Sequence, residues 1–409
     1  MADSPLNVEL VDPSAFTPPY DHALAGALAR VGGGRVAVEL VTSRFAYGDV
    51  PRGDGYSTRE AFYHWTPGAA GSRPRRAAKL AQHVPDMLRW AASRAARRAD
   101  VVHFQWLTVQ PLDVRLPPIA LPRSRRPPLV LTAHDVLPRE PRGGRVQYDA
   151  QRRLYERVDA VVVHSEHGAD RLRDELGIDP GRVHTIPHGA FTHLAAMEPA
   201  PGSPLQRPAL GSQSDRAAGR LPGVAAPLPP ELAAVERPVV LCFGLMRPYK
   251  GIDVLLEAWR GIEDAELWVV GLPKMDIAPL RAAAPPNVRF VPRFVVDREI
   301  PAFFRRADLV VLPYREIDQS GVLFTALAFG KPLLLSAVGG FPEVAATGAA
   351  ELVPPGDPAA LHTKLVALLA DPATRERLAT AARAAAAGPY AWDAIAAQHL
   401  ALYEALRGH

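Results

Sequence analysis

Twelve short apolar runs, in two sets of six, constrain this chain more than any other feature. The first half holds "LNVELV", "VAVELVT", "VVHFQ", "LVLTA", "AVVVHS" and "VHTIP". The second half holds "VVLCFG", "LWVVG", "VRFVP", "LVVLP", "LLLS" and "ELVP". Runs that stay apolar instead of alternating suit strands covered on both faces. The helical stretches between them imply right-handed crossovers and parallel sheets. At 409 residues the chain exceeds one ordinary core. Two doubly wound α/β domains are therefore expected, over residues 1–191 and 238–390. Residues 192–237 are rich in Pro, Gly, Ala and Ser without an apolar period, and read as a linker or insertion. Residues 391–409 read as a closing amphipathic helix that crosses back to the first domain.

Composition narrows the class. Hydrophobic residues make up 48% and charged residues 22%, as in soluble globular proteins. No run of eighteen apolar residues predicts a membrane span, and the start lacks a basic then apolar leader. A single cysteine, Cys242 in the apolar run "VVLCFG", excludes an internal disulfide framework and fits a reducing cytoplasm. The net charge is +4, and its excess lies in the first half: residues 1–195 carry 26 Lys and Arg against 21 Asp and Glu. Within residues 73–98, Arg73, Arg75, Arg76, Lys79, Arg89, Arg94, Arg97 and Arg98 face only Asp86. Leu80, Met87, Leu88 and Trp90 interleave with them. This stretch reads either as a basic amphipathic surface for anionic lipid or as a solvated helix. No nucleic-acid-binding motif is visible.

Several chemistries are excluded by motif. No H-E-x-x-H and only one Cys argue against zinc, and no Asp-x-Asp offers a seat for a divalent ion. There is no P-loop, no G-x-G-x-x-G after the first strand and no G-x-S-x-G elbow. What remains are residues that follow strands, where doubly wound folds bind ligands. In "LCFGLMRPYKGIDVLLEAW", Gly244 ends a strand, and Arg247 and Lys250 precede a helix. Such a turn offers backbone N–H groups, a guanidinium fork and an ammonium to a diphosphate, or simply exposes two surface charges. In "DQSGVLFTALAFG", Ser320 and Gly321 open an apolar helix. The N–H groups of Gly321, Val322 and Leu323 would face an anion, with Ser320 as a cap in the plainer reading. In the first half, His134 and Asp135 follow the run "LVLTA". His103, His164, Ser165 and Glu166, and His188 follow other strands. A His-Asp pair there could orient a hydroxyl, or could cap a turn.

Taken in order, "FGLMRPYKGIDVLLEAW", "LWVVG", "VRFVPRFVVDREIPAFFRRADLVVLPY", "GVLFTALAFGKPLLLSAVGGFPEV" and "ELVPPGDPAALHTKLVALLADPATRERL" resemble the nucleotide-sugar domain of the retaining GT-B glycosyltransferases. That group includes glycogen and sucrose synthases and many bacterial mannosyl- and glucosyltransferases. "TPPYDHALAGALA", "TAHD", "VHSEHGADRL" and "VHTIPHG" resemble its acceptor domain more loosely.

The resemblance implies two Rossmann-like domains facing across a cleft. It implies transfer of a hexose from a nucleotide-diphosphate sugar to a glycan, lipid-linked or small-molecule acceptor. Configuration would be retained, with no metal or resident cofactor and no nucleic-acid partner. The location implied is cytoplasmic, at the inner membrane face if the basic surface binds lipid. Lys250 matches the family's diphosphate-holding Lys. The matching Arg position is Leu245, and Arg247 stands two residues later. His134 matches a His near the donor sugar. Arg293, Phe294 and Val295 would face the nucleobase through backbone groups. Two family glutamates fall at Ile317 and Thr325, so Asp318, Gln319 and Thr325 are the candidates to replace them. Gly244, Ser320, Gly321 and Val322 complete the donor side. Tyr20, Asp21, His103, Asp135 and His188 are assigned to the acceptor side. A sugar-nucleotide epimerase of the same fold, or a non-catalytic nucleotide- or glycan-binding member, are the alternative readings.

Overall fold

The computed structural model describes residues 4–45, 54–66, 72–95, 99–137, 144–199 and 223–408. The chain divides into two compact units. One comprises Met1–Pro187 with Trp392–His409, the other His188–Ala391.

The first unit is built on seven strands: β1 (Leu6–Asp12), β2 (Val36–Ser43), β3 (Ser57–Phe62), β4 (Val101–Phe104), β5 (Leu129–Thr132), β6 (Ala160–Val163) and β7 (Val183–Thr185). They lie in the order β3-β2-β1-β4-β5-β6-β7, all parallel. Six correspond to the apolar runs. The seventh, β3, is an edge strand that is mostly exposed, so "STREAF" carries no apolar run to betray it. The order reverses between β1 and β4, which leaves a crevice at their carboxyl ends.

The closing helix Trp392–Arg407 packs in this unit against the helix Pro18–Gly32. Trp392 meets Tyr20 edge-on at 5.1 Å. Arg30 Nε donates to Asp393 Oδ1 at 3.0 Å, and Tyr403 Oη lies 2.6 Å from His103 Nδ1. The helix Arg73–Ala95 turns His83, Asp86, Met87 and Trp90 into the core. Leu80 and Leu88 stay exposed, at 56% and 45%. The interleaved apolar residues thus split between core and surface. Arg97 and Arg98 lie outside the described residues.

The second unit holds β8 (Val239–Phe243), β9 (Glu266–Val270), β10 (Val288–Val291), β11 (Leu309–Leu312), β12 (Leu333–Ser336) and β13 (Ala350–Val353). Their order is β10-β9-β8-β11-β12-β13, again parallel, with the reversal between β8 and β11. Leu241, Trp268, Val310, Leu312, Leu333 and Phe324 form a continuous core, and Leu194, Leu228 and Leu232 join it. The flanks of the Pro-rich segment therefore pack on this unit, through the short helices Thr192–Ala195 and Pro230–Ala233. Residues 200–222 lie outside the described residues. Cys242 is buried, and burial raises its thiol to about 11, so it behaves as an inert core residue.

Candidate functional site

The exit from β8 is a close passage between backbones. Gly244 has φ +110° and Gly271, just after β9, has φ +146°. A Cβ on Gly271 would lie 1.9 Å from Gly244 O. Only glycine accepts both that dihedral and that approach. The chain then turns through Pro248–Lys250, and Gly251, at φ +65°, starts the helix Ile252–Ala258. Arg315 braces this turn from the end of β11. Its guanidinium makes a bidentate pair with Asp253 at 2.8 and 2.6 Å and donates to Pro248 O at 3.0 Å. Its N–H donates to Tyr249 O at 2.7 Å.

So held, Lys250 is 7% exposed. Its Nζ donates to Tyr314 Oη at 2.5 Å and lies 4.3 Å from the Tyr314 ring centroid. A Cβ on Gly244 would stand 3.2 Å from that Nζ and 3.0 Å from Val322 Cγ2. Gly244, Lys250 and the first turn of the helix Gly321–Ala328 are therefore one constellation. Arg247 opens the turn, half-buried, in extended conformation, and its carbonyl accepts from Lys250 N at 3.0 Å. Leu245, at the family's Arg position, is partly exposed.

Ser320 has the extended geometry of a cap, yet its hydroxyl makes no capping bond. Its own N–H donates to Gln319 Oε1 at 3.0 Å. The N–H of Leu323 donates to Ser320 O, so Gly321 and Val322 supply the leading donors of the first turn. Phe191 Cε2 would be 3.5 Å from a Cβ on Gly321. The Thr325 hydroxyl donates to Gly321 O at 2.9 Å, one turn back, and is buried. Ile317 and Asp318 are buried as well. Gly340 N donates to Asp318 O, and a Cβ on Gly339 would meet Ile317 O at 1.8 Å. The Gly-Gly turn thus clamps the segment that leads into the helix.

At the turn after β10, Arg293 pairs bidentately with Glu299 at 2.8 and 2.9 Å and donates to Phe294 O at 3.1 Å. The bond from Arg293 lowers the Glu299 carboxyl. Phe294 is exposed at 42% while Val295 is in the core. The Arg293 side chain is spent on shaping its own loop.

His134, in the first unit, is held on three sides. It stacks on Trp106 at 4.8 Å and 11°, meets Tyr20 edge-on at 4.7 Å, and places Nδ1 3.0 Å from His164 Nε2. His164 Nδ1 lies 3.1 Å from Ile186 O, and a carbonyl only accepts, so Nδ1 carries the proton. Burial lowers His164 to about 4, so it is neutral and its Nε2 accepts. His134 must then donate from Nδ1, and in its neutral form it presents Nε2 as an acceptor. Asp135, beside it, is half-buried, with its carbonyl 3.4 Å from Tyr155 Oη. Ser165 caps the next helix by accepting from Gly168 N at 3.1 Å.

The remaining acceptor-side residues fall elsewhere. His103 is fully buried, with Nδ1 on Tyr403 Oη and Nε2 2.7 Å from Thr132 Oγ1. Burial lowers it well below the usual range, so it serves the packing of the closing helix. His188 belongs to the second unit. It stacks on Phe324 of the helix Gly321–Ala328 at 4.5 Å and 13°, and its Nδ1 donates to Gly189 O at 2.7 Å. Tyr20 is buried among His134, His164 and Trp392. Asp21 is buried beside Asp12, which no motif singled out. Asp12 accepts from the N–H groups of Ser14, Phe16 and Thr17. Burial, then the Asp12 charge, pushes Asp21 well up, so Asp21 holds the proton of the pair. Among the described residues no group of three or more His, Cys, Asp or Glu is placed to hold a metal ion.

Comparison with known proteins agrees with this layout. A profile of the family described as Glycosyl transferases group 1 matches residues 237–371, and one described as Glycosyltransferase Family 4 matches residues 22–193. A D-inositol 3-phosphate glycosyltransferase of Xylanimonas cellulosilytica is 28% identical over 343 residues, or 80% of this chain and 76% of that protein. The sucrose-phosphate synthase of Thermosynechococcus elongatus shares the fold with a TM-score of 0.71 at 21% identity, over 98% of both chains. The Anabaena protein HepE, solved with UDP-glucose, does so with a TM-score of 0.68 at 18% identity, over 98% of this chain and 99% of that one. With two parallel α/β units and these matches, the chain belongs to the GT-B glycosyltransferases.

Proposed function

We propose that this protein moves a hexose from a nucleotide-diphosphate sugar to an acceptor hydroxyl, with retention of configuration and without a metal. One observation carries the reading. Gly244 leaves room for only a hydrogen between Lys250 Nζ and Val322 in the first turn of the helix Gly321–Ala328, since a Cβ there would stand 3.2 and 3.0 Å from them, at the carboxyl ends of β8 and β11. Cleavage of the anomeric bond leaves charge on the diphosphate. The Lys250 ammonium, the Gly321 and Val322 N–H groups and the adjacent Arg247 would stabilise that charge. A departing phosphate oxygen would take the acceptor's proton. His134 would accept a hydrogen bond from a sugar hydroxyl through Nε2, since His164 claims its other nitrogen. Asp318 and Gln319 lie in the segment that enters the helix and are the candidates for contacting the sugar. Thr325, whose hydroxyl serves Gly321 O, would reach a ribose only by giving up that bond.

HepE was solved with UDP-glucose and the Xylanimonas relative is named for D-inositol 3-phosphate. The first supports a nucleotide-sugar donor and the second a hydroxylated small-molecule acceptor. The basic outer face of the helix Arg73–Ala95 supports peripheral contact with an anionic inner membrane surface. The test is a thermal-shift screen of nucleoside diphosphates and nucleotide sugars, followed by turnover with hydroxylated acceptors and NMR of the product's anomeric proton. Stabilisation by one nucleotide class and chelator-resistant transfer are expected. No response to any nucleotide would overturn the reading, and nucleotide binding without turnover would leave a binding protein.

A further inference from the structure

The second unit carries a polar cavity at the opposite end of its sheet from Gly244 and Lys250. Its volume is about 410 Å³, and it lies at the amino ends of β11 and β12. Asp308 directly precedes β11, and Lys331 and Pro332 lead into β12. Arg305, in the last turn of the helix Ile300–Arg306, lines it too, as do Arg375, Glu376 and Arg383 of the helix Pro372–Ala387. Four cations thus meet two carboxylates, and both carboxylates already have partners. Asp308 Oδ2 accepts from Val239 N at 2.8 Å and from Arg306 Nη1 at 3.0 Å. Glu376 Oε1 accepts from Arg383 Nη2 at 2.5 Å.

The other cations are placed by carbonyls. Lys331 Nζ donates to Arg305 O at 3.0 Å. Arg375 Nη1 donates to Leu368 O and Leu369 O, at the end of the helix Pro358–Ala370, at 2.5 and 2.7 Å. A helix C-terminus attracts positive charge, which explains where these side chains stand. It does not supply a counter-ion: among the described residues neither Lys331 nor Arg375 makes an ion pair. Burial holds the Lys331 ammonium down to about 8, with Asp308 opposing the fall and Arg306, Arg383 and Arg305 adding to it. An ammonium has three N–H donors, so two remain beyond the Arg305 carbonyl. Gly330, at φ +59°, lets Arg383 reach the cavity, since a Cβ there would meet Arg383 Cγ at 2.5 Å.

A surplus of two positive charges matches a phosphate monoester, which carries about −1.5 to −2 at pH 7. Guanidinium and ammonium groups both make charge-assisted bonds to its oxygens. The volume falls within the roughly 300–1,000 Å³ of small-molecule sites, more than a bare anion needs. Phe329, Ala307 and Pro332 add apolar lining for an organic body. We propose that this cavity binds a small organic phosphate monoester, with Lys331, Arg375 and Arg383 on the phosphate and the organic body against Phe329. The binding does not depend on the function proposed above, because the cavity and the candidate diphosphate site lie at opposite ends of β11.

The test titrates the full chain with ribose 5-phosphate, glucose 6-phosphate, ribose and inorganic phosphate, by calorimetry and by amide NMR. Both esters should bind and shift Ala307, Lys331 and Ala379. Inorganic phosphate should bind more weakly, and ribose not at all. Lys331→Met, which keeps the aliphatic stem, should weaken the esters roughly tenfold or more, and Lys331→Arg should restore part of the loss. Should Lys331→Met fold poorly, Arg383→Gln, at a half-buried position, should show the same weakening. Unchanged ester affinity in whichever of these variants folds would overturn the proposal. So would shifts confined to Gly244 and Gly321, or inorganic phosphate binding as tightly as the esters. UDP stabilisation, read on the same samples, should be indifferent to both variants. Its absence in the unaltered protein would defeat the function proposed above while leaving ester binding standing.

Discussion

Lys250→Met separates chemistry from folding in this protein. The ammonium is buried against the Tyr314 ring and donates to its hydroxyl at 2.5 Å. A charged hydrogen bond contributes about 1.5–3 kcal/mol to stability, and a buried hydroxyl left unpaired costs about 1–3 kcal/mol. Against these losses, a buried ammonium carries a desolvation penalty of several kcal/mol that Met does not. The terms oppose one another, so unfolding free energy should move by less than about 2 kcal/mol. Transfer should suffer far more. Removing one preorganised donor from a developing anion typically costs about 2.7–4 kcal/mol in the barrier, or roughly 10²–10³-fold in rate. The assay is initial-rate transfer at varied donor with saturating acceptor, alongside urea unfolding of the same preparation. A kcat/KM within about threefold of the unaltered protein, under 1 kcal/mol, would refute the assignment of Lys250 to the diphosphate. So would a matched collapse of stability and activity, because the loss would then be structural.

Further outcomes follow from the same geometry. Gly271→Ala should destabilise the second unit by about 1–3 kcal/mol from the dihedral alone, and by more from the 1.9 Å approach to Gly244 O. Gly33→Ala, at φ +55° with open space around it, should cost only about 1–2 kcal/mol in urea unfolding. Replacing His164 with Phe removes the acceptor that holds the His134 proton on Nδ1. ¹⁵N NMR should then show His134 moving toward the Nε2–H form, and an unchanged tautomer would contradict the bonding scheme. Asp21 has a raised folded pKa, so the folded state binds the extra proton. Its contribution is full below the ordinary value of 3.8 and is lost as pH rises toward the folded pKa. The stability of the unaltered protein relative to Asp21→Asn should therefore fall with rising pH, by at most about 1.4 kcal/mol per unit. A difference that is flat or rises with pH would show that Asp21 is charged in the fold.

Much of the architecture was legible because it is written locally. Parallel strands covered on both faces are largely apolar, and twelve of the thirteen strands fall on apolar runs. The exception, β3, is exposed at the sheet edge, so burial left no mark on its sequence. Lys250 and Gly244 were legible for a related reason, since a strand-to-helix turn beside glycines is a local pattern. Arg315 and Asp253, which brace that turn, were not, because the two are 62 positions apart and meet only when β11 settles beside β8.

The sequence by itself determined the two sets of crossovers, the glycines at each tight exit and the lysine beside them. These depend on hydrophobic period, backbone sterics and turn chemistry within a few residues. Only the tertiary structure decided which polar groups share an environment. It placed His188 on the helix Gly321–Ala328 through Phe324, drew His103 into the packing of the closing helix, and set Asp12 against Asp21. It also brought the Ser14 and Thr108 hydroxyls within 2.7 Å of each other and Lys79 over the Tyr63 ring. The physical reason is sheet order. Pairing β1 with β4 instead of β3 juxtaposes loops some ninety positions apart in sequence. Protonation, tautomer and charge balance follow from that neighbourhood and from burial.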